Sequence, residues 1–186
     1  MRFWRALTVG LMFMVLAMTG RAAMAYDGLA LRGIDARIWG GIAATNWIAQ
    51  GEGERIVYAF IDPNCPYSRA LFRKAQAVLD PGKVQIRWIP VGVLPRVTED
   101  SRRKAAAALR GGRGELNTVM AGGGPMTRPI DDDLRHVDES ARYMQQEIGP
   151  YVAAGVPKLI YIRDPGNELR VFVGVPGDAE LAKVMR

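Results

Sequence analysis

The spacing of apolar residues changes around one short polar turn, residues 62–68. Residues 56–61 are apolar without alternation, which is typical of a strand buried on both faces. After the turn, residues 67–79 carry apolar side chains at i, i+4, i+7 and i+8 spacing, which predicts an amphipathic helix. Apolar and polar residues then alternate over 84–88, which predicts a second strand. This order predicts a right-handed βαβ unit with parallel strands.

The C-terminal end of the chain has the pattern of a hairpin followed by a helix. Residues 158–163 and 168–173 are predicted strands. Asp164-Pro165-Gly166-Asn167 joins them, with Pro and Gly at the positions that a type II turn favours. Asp178 is then expected to cap a last helix over residues 179–185.

A long interruption separates these two halves. It contains helix patterns over residues 99–109 and 131–148, with a Gly-rich loop at 121–125 between them. Before the first strand, residues 38–48 have helix-compatible spacing that Gly40 and Gly41 weaken. The whole pattern predicts an α/β sheet with one antiparallel hairpin and a helical insertion over about residues 95–150.

The first 25 residues have the layout of a secretory signal peptide. A basic start is followed by an uncharged apolar run over residues 6–20 and by Ala23-Met24-Ala25, a small-x-small cleavage pattern. We expect cleavage after Ala25, a periplasmic or secreted protein, and no stable membrane insertion after cleavage. The alternative is an uncleaved membrane anchor, which Arg21 favours. The apolar run is, however, shorter than the roughly 20 residues that a membrane-spanning helix needs.

The net charge gives little evidence for a polyanionic partner. The 186 residues carry a net charge of +6, and three arginines lie in the leader, so the mature charge is about +3. That charge is ordinary for a soluble domain, and we expect no nucleic-acid partner.

Cys65 is the only cysteine, so an exported chain of this kind has no internal disulfide. Pro66 favours the first helical position and places Cys65 at the N-cap of the helix. Unpaired N–H groups and the helix dipole stabilise a thiolate there, which predicts a reactive nucleophile. The alternative for Cys65 is a small buried apolar residue.

The turn Asp62-Pro63-Asn64-Cys65-Pro66-Tyr67-Ser68 resembles the active-site turn of the periplasmic thiol:disulfide interchange family of DsbC and DsbG. The strand after the turn and the later Val156-Pro157 extend this resemblance over nearly all of the mature chain. It implies a thioredoxin-like fold in which Pro157 is cis and faces the thiol, while Val156 presents its backbone to a substrate peptide. The residues that it implies for substrate binding are Pro66, Tyr67, Val156 and Pro157.

The chain departs from that family in two places. Ser68 stands where the family has its second cysteine, and residues 26–55 hold a segment with a linker-like helix but no N-terminal dimerisation domain. Residues 56–186 are then the thioredoxin-like domain. We therefore expect a monomer.

One sulfur restricts the chemistry. Cys65 can form a mixed disulfide, but Ser68 cannot resolve it; as a catalytic residue, Ser68 is expected to donate a hydrogen bond to the thiolate. We expect a thiol–disulfide exchange protein that acts on cysteine-containing exported proteins. The substrate's own thiol, an external thiol or a membrane reductase would complete the cycle. The alternatives are a glutathione-dependent enzyme that resembles monothiol glutaredoxins and a redox-inactive binding or scaffold protein of a cell-envelope assembly.

Other residue clusters predict no further chemistry. His136 has no second histidine or extra cysteine beside it, and Asp131-Asp132-Asp133 suits the first turn of a helix, so we expect neither a metal nor a cofactor. The Gly122-Gly123-Gly124 stretch lacks the Lys and Ser or Thr of a phosphate-binding loop. A basic segment is expected to be a solvated helix face, and the alternative is a patch that attracts acidic polypeptides; it comprises Arg102, Arg103, Lys104, Arg110 and Arg113.

Overall fold

The computed structural model of the chain describes residues 29–30, 35–163 and 168–186. The expected signal peptide, its cleavage site after Ala25 and the predicted turn at 164–167 lie outside the described residues. Among the helices of the described part, none is both long and apolar enough to cross a membrane.

The described residues form one six-stranded mixed sheet in the order β1-β6-β5-β3-β4-β2. Only the β3–β4 pair is parallel, and the other four pairs are antiparallel. The strands are β1 (Leu29–Ala30), β2 (Ile48–Gln50), β3 (Arg55–Ile61), β4 (Val84–Pro90), β5 (Lys158–Arg163) and β6 (Glu168–Val173). The helices are α1 (Asp35–Ala43), α2 (Pro66–Val78), α3 (Thr98–Met120), α4 (Asp131–Tyr143) and α5 (Asp178–Met185).

This arrangement confirms the predicted βαβ unit, the antiparallel strand pair and the thioredoxin-like α/β architecture. The strand β3 lies in the middle of the sheet between β4 and β5. Its residues alternate between two apolar clusters: Val57 and Ala59 face one side of the sheet, and Tyr58 and Phe60 face the other. Burial on both faces explains why its sequence shows no alternation.

Helices cover both faces of the sheet. The helices α2 and α5 and the end of α3 pack on one face, where Leu71, Leu116 and Leu181 are fully or almost fully buried. On the other face α1 and a π-helical turn, Met144–Ile148, supply Ile42 and Ile148. The helices α3 and α4 come between β4 and β5 in the chain and contact each other through a small cluster of their own.

Four predicted details of the elements were wrong. Ile48 is not helical, because α1 ends at Ala43 and Ile48 opens the edge strand β2, which pairs with β4. The helix α3 does not stop before Gly112: the backbone is non-helical there, at φ 68°, but helix resumes as far as Met120. Burial of Leu116, Val119 and Met120 in the core offsets the cost of that break.

The other two corrections concern helix ends. The predicted helix 131–148 is α-helical only as far as Tyr143, and its last five residues form the π-helical turn. Asp178 is not the cap of the last helix, because Gly177 holds the extended N-cap conformation one residue earlier. The Asp178 carboxylate instead accepts a hydrogen bond from Lys74 Nζ at 2.6 Å.

The contact between α1 and the end of α4 gives a test of this packing. Tyr143 Oη donates to the carbonyl of Ile38 at 2.8 Å, and a methyl group at Gly41 would overlap the Tyr143 ring. We expect Gly41→Ala to lower the free energy of unfolding by about 1–3 kcal/mol, as overpacking does. Chemical denaturation measures the change.

Gly40→Ala is the matched control for that variant. A methyl group at Gly40 meets nothing within 4 Å, so the variant should gain about 0.5–1 kcal/mol from helix propensity. If both variants change stability in the same direction and by a similar amount, α1 does not pack on Tyr143 as described.

Candidate active site

Cys65 caps the helix that follows the central strand. Its backbone is extended, at φ −77° and ψ 119°, and Pro66 opens α2. The Cys65 carbonyl accepts the N–H of Arg69 at 3.0 Å, which closes the first turn of the helix. The predicted N-cap position is therefore confirmed. The side chain is buried, with 4% of its surface exposed.

The thiol faces the segment that precedes β5. Cys65 Sγ lies 3.5 Å from the carbonyl oxygen of Val156, 91 residues away in the chain. The Val156–Pro157 peptide bond is cis, as predicted. The Pro157 carbonyl accepts the N–H of Gly174 at 2.9 Å, which ties this segment to the end of β6. The fold thus places the Val156 carbonyl beside the thiol of Cys65, the only cysteine of the chain.

Ser68 lies one helical turn after Cys65 and is fully buried. Its Oγ accepts a hydrogen bond from the backbone N–H of Asp62 at 3.2 Å. Among the hydrogen bonds of the described residues, none joins Ser68 to Cys65 Sγ. The hydroxyl keeps its own proton for donation, and it supports the end of β3 from the side of α2.

Sequence reasoning missed the role of Asp62, whose carboxylate organises the turn. Asp62 is fully buried; Oδ1 accepts the N–H of Asn64 at 2.9 Å, and Oδ2 accepts the N–H groups of Val93 at 2.9 Å and Leu94 at 3.2 Å. The carboxylate therefore joins the active-site turn to the loop after β4. The available signal was an acidic residue that directly follows a strand buried on both faces.

Asn64 connects the same turn to the helical insertion. Its amide Nδ2 donates to Asp100 Oδ2 at 2.8 Å and to Ser101 Oγ at 3.0 Å, and its Oδ1 accepts from Lys104 Nζ at 2.9 Å. The hydrogen bonds from Lys104 and from Asn64 hold the pKa of Asp100 below its ordinary value. The start of α3 is thus a support for the active-site turn.

The surface around the thiol is apolar and partly exposed. Tyr67 has 66% of its surface exposed beside exposed Pro66, and Val156 is half-buried across the site from them. Pro157 itself is buried behind Val156. The four residues expected to bind substrate therefore comprise two exposed side chains, a half-buried one and a buried proline.

A pocket of about 570 Å³ adjoins the Val156 side of the site. Its walls are mostly apolar and come from the loop after β4, the π-helical turn and the segment before β5; they include Val93, Leu94, Met144, Gln145 and Val156. Lys158 also lines the pocket, although only 1% of its surface is exposed. Its Nζ donates to the carbonyls of Ala153 and Gly155, and burial lowers the pKa of Lys158 below its ordinary value.

The other candidate clusters have structural partners. In the basic segment, Arg102 pairs with Asp138, Lys104 with Asp100, and Arg110 with Asp133. Arg103, Arg110 and Arg113 are exposed, as a solvated helix face predicts, whereas Arg102 and Lys104 are partly buried by their partners. His136 lies on α4 within 3.8 Å of Asp132, and the described residues contain no cluster of His, Cys, Asp and Glu suited to a metal.

Comparisons with known proteins identify the family of this chain. Residues 46–186 match the family described as a thioredoxin-like domain. The chain is 29% identical over 153 residues to the thiol:disulfide interchange protein DsbG of Pseudomonas aeruginosa, a match that covers 80% of this chain and 58% of that protein. It is 26% identical over 153 residues to DsbG of Escherichia coli, covering 80% and 60%. The chain thus spans less than two thirds of the length of these curated relatives.

The fold has matches among solved structures. Proteus mirabilis ScsC in a transitional conformation superposes with a TM-score of 0.63 at 13% identity, covering 87% of this chain and 81% of that one. At this identity the likeness concerns the fold alone.

The Asp62 carboxylate gives a prediction about the turn. Asp62→Asn places an amide NH₂ group against backbone N–H donors, so at least one buried donor loses its acceptor. We expect the free energy of unfolding to fall by about 2 kcal/mol. Chemical denaturation followed by circular dichroism measures it.

Asp132→Asn serves as the control, because Asp132 is an exposed carboxylate that pairs with Arg135 on the surface of α4. Its effect should stay within about 0.5 kcal/mol. Equal stability of the two variants would show that Asp62 does not hold the turn.

Proposed function

The chain belongs to the thioredoxin-like domain family, and on that premise we propose that it is an exported thiol–disulfide exchange protein whose nucleophile is Cys65. One observation carries the proposal: Cys65 Sγ lies at the N-cap of α2, 3.5 Å from the carbonyl of Val156. The helix terminus supplies the N–H groups and partial positive charge that stabilise a thiolate. The similarity to DsbG proteins over 80% of the chain supports the same chemistry.

The first step is attack of the Cys65 thiolate on a substrate disulfide. A new bond forms between Cys65 Sγ and one substrate sulfur, the substrate S–S bond breaks, and the second substrate sulfur leaves as a thiolate. Because Cys65 is buried, the substrate sulfur must approach between the exposed Tyr67 and the half-buried Val156. In this proposal Pro66, Tyr67, Val156 and Pro157 are the substrate-binding residues.

A thiol outside this chain completes the cycle. Ser68 offers a hydroxyl where a second sulfur would be needed, so it cannot attack the mixed disulfide. A different substrate thiolate can attack the substrate sulfur of the mixed disulfide; a new substrate S–S bond forms, the bond to Cys65 breaks, and Cys65 leaves as a thiolate, which gives isomerisation. An external thiol such as glutathione, or a membrane reductase, can instead release the substrate in reduced form. Ser68 assists by supporting the turn and by having a proton to donate to the thiolate.

We propose further that the protein is periplasmic or secreted and acts as a monomer on cysteine-containing exported proteins. The leader pattern of residues 1–25 supports export. A single chain carries the thiol, the Val156 backbone and the exposed Tyr67, which supports action as a monomer.

A binding or scaffold function is the second candidate, and Ser68 favours it. The serine is fully buried and bonded to the Asp62 backbone, so the turn is held without a second sulfur. A site of this kind can bind a partner protein without catalysing disulfide exchange. The two functions differ in whether Cys65 is needed and in whether an external thiol restores activity.

Turnover on a scrambled disulfide substrate separates these functions. We expect the wild-type protein to reactivate the substrate in the presence of glutathione, and we expect Cys65→Ala to lose that activity completely because the nucleophile is gone. Recovery of substrate enzyme activity measures the rate. No acceleration by the wild-type protein, together with partner binding that survives Cys65→Ala, would favour the scaffold.

Ser68→Cys tests the geometry of the site. Cys65 is the N-cap of α2 and Ser68 lies in its first turn, so we expect side-chain rotation to bring the two sulfurs to within about 2 Å, the length of a disulfide bond. We expect this variant to form a disulfide between Cys65 and the introduced thiol under mild oxidant, and to exchange without added glutathione. Mass spectrometry after alkylation counts the free thiols. Two free thiols after oxidation would contradict the placement of Cys65 and Ser68 on one helical turn.

A further inference from the structure

Lys158 is a buried cation without a carboxylate partner. Its Nζ makes two hydrogen bonds, to the Ala153 carbonyl at 2.9 Å and the Gly155 carbonyl at 2.5 Å. An ammonium group has three N–H donors, so one donor has no acceptor among the described residues. None of the carboxylates in the described part of the chain forms an ion pair with it. A buried charge in this state costs free energy that a bound anion would recover.

Lys158 is connected to the reacting sulfur of Cys65 through Val156. Lys158 and Val156 line the same pocket of about 570 Å³, and the Val156 carbonyl is the group that contacts Cys65 Sγ. Val156 therefore borders both the reacting sulfur and the pocket. The mostly apolar walls, which include Val93, Leu94 and Met144, suit methylene groups between that sulfur and a charged end.

We propose that this pocket binds a carboxylate of the thiol compound that exchanges with Cys65, and that Lys158 is its counter-ion. This inference rests on the proposed exchange function and adds a substrate class to it. The Lys158 ammonium group has one free N–H, which suits one oxygen of a singly charged carboxylate. Two sources share that chemistry: an acidic side chain next to a substrate cysteine, and a small thiol such as glutathione.

The reaction itself is unchanged by the pocket. The Cys65 thiolate attacks the probe disulfide, the new S–S bond replaces the old one, and the other half leaves as a thiolate. The carboxylate only holds the probe beside Cys65. Lys158 is therefore a specificity residue for acidic partners, and probes without a carboxylate should not depend on its charge.

Two pairs of disulfide probes test the proposal on the mature protein. One pair is oxidised glutathione and its tetraethyl ester, in which all four carboxylates are esterified, and the other is a blocked cysteine peptide disulfide with Glu or Gln beside the cysteine. Mass spectrometry of quenched samples gives the rate of mixed-disulfide formation. We expect the acidic member of at least one pair to react about tenfold faster with the wild-type protein, a factor typical of one charged hydrogen bond. Lys158→Met should remove this preference, so that the acidic and neutral members of each pair react at equal rates.

A second pair of variants tests the pocket without touching the buried lysine. Gln145 and Gln146 are both exposed on the π-helical turn, but only Gln145 lines the pocket. Gln145→Glu adds a carboxylate that competes for Lys158, so it should reduce the acidic preference. Gln146→Glu makes the same change in net charge outside the pocket and should leave the preference as it is.

The outcomes separate this inference from the proposed function. A preference in the glutathione pair alone identifies a small thiol, and a preference in the peptide pair alone identifies an acidic protein segment. Equal rates for acidic and neutral members in the wild-type protein would overturn the carboxylate site while leaving exchange by Cys65 intact. Equal effects of Gln145→Glu and Gln146→Glu would also overturn it. If no probe reacts with Cys65, the exchange function fails and this inference fails with it.

Discussion

The buried carboxylate of Asp62 is the constraint on which the active site depends. It follows the central strand and accepts backbone N–H groups from Asn64 on one side and from Val93 and Leu94 on the other. The turn that presents Cys65 is thereby fixed to the loop that forms one wall of the pocket. Asn64 extends the connection to the start of α3, so the helical insertion also supports the thiol.

A single sulfur in such a site makes the reaction depend on its partner. Cys65 lies at the N-terminus of α2, and its Sγ contacts the Val156 carbonyl. This position suits formation of a mixed disulfide. Ser68 is fully buried one helical turn after Cys65 and accepts a hydrogen bond from the Asp62 backbone N–H, but it supplies no sulfur. The protein we propose therefore begins an exchange that a second thiol must finish.

The sequence predicted those parts of the fold that depend on local pattern. The strands β3, β5 and β6, the helix α2 and the N-cap at Cys65 have apolar spacing or turn residues that identify them directly. The edge strands β1 and β2 were not predicted, because two or three residues carry no periodicity and their pairing depends on a neighbour distant in sequence. Asp62 and Lys158 were missed for a related reason: only the folded chain shows that these charges are buried and which atoms they contact.

The central claim is that Cys65 exchanges disulfides with a partner and cannot resolve the intermediate by itself. Its most direct test uses protein recovered from its native compartment after free thiols are blocked with N-ethylmaleimide. A non-reducing gel with mass spectrometry then identifies what is bonded to Cys65. We expect a covalent complex that a reductant dissociates and that Cys65→Ala does not form. Recovery of Cys65 wholly as the blocked free thiol, with no covalent partner, would contradict it.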